Sequence, residues 1–266
     1  MADALVERDG HVLVVTLNRP HRKNAVTEAM LARLLDAWRL ADEDDGIRCV
    51  ILTGAGGSFC SGDDLRARAG DLGVLDPEVD GQARFAAEPN LHALAYLKEY
   101  RLTKPLIAAI EGSCIAGGTE IALAADIRVA GESARFGISE ARWGLYPMMG
   151  SVVRLPRQIP KTVAAELLLT GRQFQAADAL RWGLVGSVVP DGQALRAAKE
   201  MAAAICANGP LAVQAILRTL HETDGMQEAV ALAQEKSYGM AVFRTEDAKE
   251  GPRAFAEKRP PQFRGR

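Results

Sequence analysis

Two short segments constrain the fold most: Cys49–Thr53 (CVILT) and Leu106–Glu111 (LIAAIE), runs with no polar alternation. A strand of this kind is buried on both faces, so layers of structure must cover it above and below. A third strand, His11–Asn18 (HVLVVTLN), is a β-branched run bounded by Gly10 and Pro20. Between His11–Asn18 and Cys49–Thr53, Thr27–Asp42 carries Met30, Leu31, Leu34, Leu35 and Trp38 at the spacing of an amphipathic helix, and Thr27 with Glu28 suits its start. Strands alternating with helices predict an α/β fold with a parallel or mixed sheet. Beyond Pro190 the pattern turns helical, over Ala194–Asn208, Pro210–Glu222 and Met226–Phe243, and the tail Glu246–Arg266 is rich in charge and proline. The expected division is a catalytic core over 1–195 and a helical C-terminal region over 196–266. Arg66–Leu91 mixes glycine, proline and acids with little periodicity, the mark of a long functional loop.

Several function classes are disfavoured. With 266 residues the chain can bury a core without disulfide or metal staples. Its 32 basic and 34 acidic side chains nearly cancel, and aromatics are 5%. No basic, stacking face for nucleic acid or membrane surface is therefore expected. The first eight residues hold Asp3 and Glu7 and do not read as a signal peptide. The best candidate for a membrane span, Pro105–Ala130, is broken by Glu111, Glu120 and Asp126, short of the ~18 uninterrupted apolar residues required. Cys49, Cys60, Cys114 and Cys206 match no zinc or redox spacing and are read as reduced thiols of a cytoplasmic protein. The four histidines are scattered, so no metal site is expected. A dinucleotide fingerprint beginning at Gly54 fails at Phe59, where the helix-packing glycine belongs. No Walker lysine is present, and Gly137-Ile-Ser139-Glu-Ala141 lacks the second glycine of a nucleophile elbow.

Two glycine-rich turns remain, one after each buried strand: Gly54-Ala-Gly-Gly-Ser-Phe-Cys-Ser-Gly62-Asp63-Asp64-Leu65 and Gly112-Ser-Cys-Ile-Ala-Gly117-Gly118-Thr119-Glu120. Facing each other, two such turns can offer two backbone N–H groups to one oxygen, as in an oxyanion hole. Equally, the glycines can serve only tight strand–helix turns. Glu120 opens an alanine-rich helix, and Glu140 follows twenty residues later in Phe136-Gly-Ile-Ser-Glu140. A Glu at a helix start is often a solvated charge favoured by the macrodipole. In so apolar a context it is instead a candidate buried carboxyl, with a pKa raised toward neutrality and suited to proton transfer.

Together these segments resemble the crotonase superfamily, and within it the enoyl-CoA hydratases. Asn18-Arg-Pro20 with Asn24-Ala25, the Phe59-Cys-Ser-Gly-Asp-Asp-Leu65 turn, Ile115-Ala-Gly-Gly-Thr-Glu120, Ala134–Glu140, Leu168–Val189 and the Lys249–Pro260 tail carry the likeness along the whole chain. The resemblance implies a spiral of ββα units capped by helices that build trimers, usually paired into hexamers. It places the oxyanion amides on Asp63 and Gly117, a water-activating base on Glu120 and a proton donor on Glu140. Arg22, Lys23, Asn24 and Ala25, then Ser61, Gly62, Asp64, Leu65, Arg66 and Gly118, match segments that line the thioester and the coenzyme A (CoA) moiety. Lys258 matches a tail lysine that reaches a neighbouring subunit's CoA phosphates. CoA is part of the substrate, and no separate cofactor is implied. Having both acids favours hydration, or its reverse, dehydration of a 3-hydroxyacyl-CoA, over Δ3-Δ2 isomerisation, another crotonase-fold acyl-CoA reaction or a silent acyl-CoA binder. One departure is Leu145-Tyr-Pro147-Met-Met-Gly150-Ser, where many hydratases have Pro-Gly-Ala-Gly-Gly. Two methionines make an adaptable apolar wall that fits a bulky acyl group. The variant also resembles actinobacterial hydratases thought to act on steroid side chains or other large acyl-CoAs.

Overall fold

The structure is a computed structural model that describes residues 1–68, 70, 73 and 75–266. An antiparallel hairpin, β1 (Ala4–Asp9) and β2 (Val12–Leu17), starts the chain. Helix α1 (Glu28–Glu43) then crosses to β3 (Cys49–Gly54), which lies parallel to β2. Thr27 caps α1 by accepting the Met30 amide at 3.0 Å. After three short helices, α2 (Leu65–Arg68), α3 (Gly81–Ala87) and α4 (Leu91–Ala95), strand β4 (Leu106–Ile110) joins β3 in parallel. Strand β5 (Ser113–Ile115) leads into α5 (Gly117–Ala122), followed by β6 (Ile127–Gly131) and β7 (Arg135–Gly137). Helices α6 (Ser151–Gln158) and α7 (Lys161–Thr170), the two-residue β8 (Phe174–Gln175), α8 (Ala176–Arg181) and β9 (Ser187–Val189) complete the sheets. The main sheet runs β1-β2-β3-β4-β6-β9, and a small sheet runs β5-β7-β8.

Alternation along the buried strands assigns each face its layer. Val50 and Leu52 of β3, with Ala108 and Ile110 of β4, point to one side and share a core with Met30, Leu34, Leu35 and Trp38 of α1. The intervening Cys49, Ile51, Ile107 and Ala109 point to the other side. There they meet Ala194, Ala198 and Ala202 of α9 (Ala194–Cys206), whose small side chains let the helix lie close. Double burial is thus met by one helix on each face, as the apolar runs demand. Helix α9, at the start of the expected C-terminal region, is a structural layer of the central sheet.

Three more helices follow: α10 (Pro210–Glu222), α11 (Glu228–Val242) and α12 (Asp247–Ala256). The last accommodates Pro252 within its span. Among the described residues no single helix is long and apolar enough to cross a membrane; α9 and α10 pass that test only as a pair bent by 111°. The loop expected over Arg66–Leu91 contains the short α2 and α3, while residues 69, 71, 72 and 74 lie outside the described residues. Asp76, buried, accepts from the Asp3 amide (2.8 Å) and from Arg33 Nε (2.6 Å), which fastens this segment to the hairpin and α1.

Candidate active site

The two glycine-rich turns lie against each other. The Cys60 amide donates to the Ser113 carbonyl (2.8 Å), the Ile115 amide donates to the Cys60 carbonyl (2.9 Å), and a parallel bridge pairs Cys60 with Cys114. Contact is close enough to exclude side chains. A Cβ on Gly118 would stand 2.5 Å from the Cys60 carbonyl oxygen. Gly62 has φ +90°, and a Cβ there would lie 2.7 Å from Ala116 Cβ and 3.2 Å from the Gly117 nitrogen. That proximity sets the Gly62–Asp63 turn beside the Gly117 amide. Gly117 is the first residue of α5, so its N–H has no intrahelical partner. Before it, Ala116 takes φ +52°, costly for a residue with a Cβ, and its amide donates to Gly137 O at 2.6 Å. Thr119 Oγ1 also donates to Gly137 O (3.0 Å), which ties the start of α5 to β7 and hence to the segment carrying Glu140.

Glu120 is 3% exposed. Its Oε1 accepts three hydrogen bonds, from the Met149 amide (2.9 Å), the Ser151 amide (3.2 Å) and the Ser151 hydroxyl (2.9 Å). Burial raises its pKa, these three donors oppose the rise, and the Asp63 charge adds to it. Glu140 lies in a 3-10 turn over Glu140–Trp143, separated by two residues from the end of β7. Its Oε2 is buried without a hydrogen-bond partner among the described residues. Burial pushes its pKa up to about 7, with further upward contributions from Glu120 and Asp63 and opposing bonds from the amides of Glu140 and Ser139. The two glutamates therefore feel each other's charge. Here the helix-start residue is a buried carboxyl and not a solvated one.

The expected CoA-lining residues divide into two groups. Backbone bonds lace 23–26 to 61–64: Ser61 N to Lys23 O (3.0 Å), Val26 N to Gly62 O (2.9 Å) and Asp64 N to Val26 O (3.1 Å). Asn24 is buried, and its side chain is engaged by the Arg19 amide and by the carbonyls of Ala55 and Ser58. Ala25 and Asp64 are buried as well, and both meet the Arg19 guanidinium, Asp64 at 3.0 Å. Lys23, Leu65 and Arg66 are exposed, and Arg22 and Ser61 are half-buried. Lys258 is exposed in the tail, in the left-handed conformation at φ +53°. A cavity of about 960 Å³ is lined by Asp63 and Asp64 with Val26, Leu75, Val79 and His92; Gly117, Glu120 and Glu140 are not in its wall.

Sequence reasoning passed over three participants. The hydroxyl of Tyr96, fully buried, donates to Asp63 Oδ1 (3.2 Å), and it occupies the space a Gly117 side chain would need. Nothing in the local sequence marks Tyr96. Ser151 and the Met149 amide hold Glu120, and the signal was the serine ending the unusual Pro147–Ser151 turn. Met148 is exposed there, while Met149 packs against the main core.

This chain belongs to the enoyl-CoA hydratase/isomerase family, whose model matches residues 7–266. It is 58% identical over 264 residues to the enoyl-CoA hydratase EchA19 of Mycobacterium tuberculosis, covering 99% of this chain and 97% of that one. It is also 38% identical to the mevalonyl-coenzyme A hydratase sidH of Aspergillus fumigatus, covering 96% and 92%. Among solved structures, an enoyl-CoA hydratase from Mycobacterium tuberculosis superposes with a TM-score of 0.86 at 43% identity over the full length of both chains. The fold is the crotonase-like spiral that the sequence resemblance implies.

Proposed function

We propose that this protein adds water across the 2,3 double bond of a trans-2-enoyl-CoA to give a 3-hydroxyacyl-CoA. The observation that carries the reading is the pairing of a buried, anchored Glu120 with a half-buried Glu140 of near-neutral pKa, its Oε2 shut off from solvent, beside two interlocked glycine turns. In this reading the amides of Asp63 and Gly117 hold the thioester oxygen, where negative charge develops as the enolate forms. One such donor contributes about 3–4 kcal/mol to an acyl-transfer transition state. Ionised Glu120 takes a proton from water as its oxygen bonds to Cβ, and protonated Glu140 delivers a proton to Cα. Atoms balance: hydroxyl to Cβ, hydrogen to Cα, and one proton transferred in net from Glu140 to Glu120, reset through solvent.

Arg22, Lys23, Arg66 and, from a neighbouring subunit, Lys258 supply positive charge for the CoA phosphates. Exposed Met148 with Trp143 and Tyr146 offers an apolar surface next to Glu140, consistent with a bulky acyl group such as a steroid side chain. We place the enzyme in the cytoplasm, in keeping with its free cysteines. The test is to follow loss of the conjugated thioester absorbance over enoyl-CoA esters of increasing bulk. Glu120→Gln and Glu140→Gln should each slow turnover roughly a thousandfold while CoA-ester binding persists. Near-normal turnover in both variants, or isomerisation of a 3-enoyl-CoA without hydration, would overturn the assignment. Faster turnover of crotonyl-CoA than of large esters would overturn the bulky-acyl part alone.

A further inference from the structure

Among the described residues, all three donors to Glu120 converge on a single oxygen. Oε1 is thereby saturated, and the basic lone pairs of Oε2 are left for water. Two of the donors are amides that any residue supplies; the third is the Ser151 hydroxyl, and Ser151 is fully buried. We propose that Ser151 is a positioning residue whose hydroxyl, with the adjacent amides, locks Glu120 by Oε1 so that Oε2 alone accepts the proton. This rests on Glu120 being the base.

The turn that carries the lock is itself braced. Gly150 takes φ +109°, and its open side is filled by the Arg154 guanidinium, which would lie 3.4 Å from a Cβ there and which donates to the Leu97 carbonyl. The same three residues carry Met149 against the core. Exposed Met148 of the proposed acyl surface and the donors to Glu120 lie on the same turn.

Removing the hydroxyl also has an electrostatic signature. The groups facing Glu120 are Asp63 and Glu140, which oppose its charge, Arg154, which favours it, and the buried Tyr96 phenol. None of these is altered by a substitution at Ser151, whereas the hydroxyl bond itself favours the carboxylate. Ser151→Ala should therefore move the acid limb of the kcat/KM profile to higher pH. With each profile normalised to its own maximum, the variant's kcat/KM on that limb should lie about tenfold below the wild type's at the same pH, the size expected for one hydrogen bond to a charged group. Affinity for a saturated acyl-CoA should stay unchanged.

Ser151→Cys, which keeps a weaker donor, should place the limb between the two. The experiment compares kcat/KM against pH for the wild type, both Ser151 variants and Glu120→Gln, with thermal unfolding as the folding control. Should the alanine variant not fold, the cysteine profile alone decides. A limb that coincides with the wild type, or a uniform loss at every pH, overturns the role of Ser151. An active Glu120→Gln overturns instead the reading of the base on which it rests.

Discussion

At the scale of the residue, Glu140 shows function set against stability. Its folded pKa of about 7 lies above the ordinary value of 4.5, chiefly because it is buried. The folded state therefore binds more protons than the unfolded chain between those values, and stability falls as pH rises through that window. Glu140→Gln removes the penalty. The variant should match the wild type in stability at pH 4 and exceed it by about 2 kcal/mol at pH 8, solvent screening included. Denaturant unfolding at the two pH values checks this; equal differences at both would refute it. In the wild type the same group predicts an alkaline limb of kcat/KM near pH 7, where the proton donor is lost. Glu120 could be picked out of the sequence as a charge among apolar neighbours, whereas Glu140, beside Ser139 and two residues from Arg142, took its role from the family resemblance. Tyr96 could not, since its importance lies in reaching Asp63 across 33 positions of chain.

Elements come next. The glycine turns work because two backbones approach without side chains between them. Gly62→Ala would need a left-handed alanine and would drive its methyl against Ala116 and toward the Gly117 amide. The expected cost is about 2–3 kcal/mol from strain and overpacking together. Turnover should slow by roughly a hundredfold or more as the two amides separate. Steady-state kinetics and thermal unfolding report these separately, and retained turnover would show that the turns are only structural. Strands β3 and β4 and helix α1 were legible because each is buried along a regular face. Strand β1 was not: it pairs on one edge only, and five of its six residues are exposed, so no apolar run marks it. Strands β5, β7 and β8 have three residues or fewer, too short for a period to register.

For the whole molecule, the C-terminal helices leave large apolar side chains in water. Phe255 is 87% exposed and Phe243 77%, and Ile216 and Leu220 of α10 also stand open. Apolar surface of this extent marks an interface, and we propose that it closes a homotrimer or a dimer of trimers. A Leu220→Asp, Phe243→Asp double substitution should release monomers in analytical ultracentrifugation, with the active-site residues untouched. A wild type that sediments as a monomer at micromolar concentration would overturn the assembly.

The division between what was readable early and what was not follows from range. Local pattern alone gave the α/β class and the covered central strands and singled out both glycine turns and Glu120, because burial period, glycine content and isolated charge are written within a few residues; the roles of both acids came from the family resemblance. Tertiary structure decided which oxygen of Glu120 is held, that Asn24 and Asp64 serve the turn with buried side chains, that Tyr96 abuts Gly117, and that α9 closes the second face of the sheet. Each of these depends on groups brought together from distant parts of the chain, where hydrogen-bond geometry and excluded volume act only once the backbone has been placed.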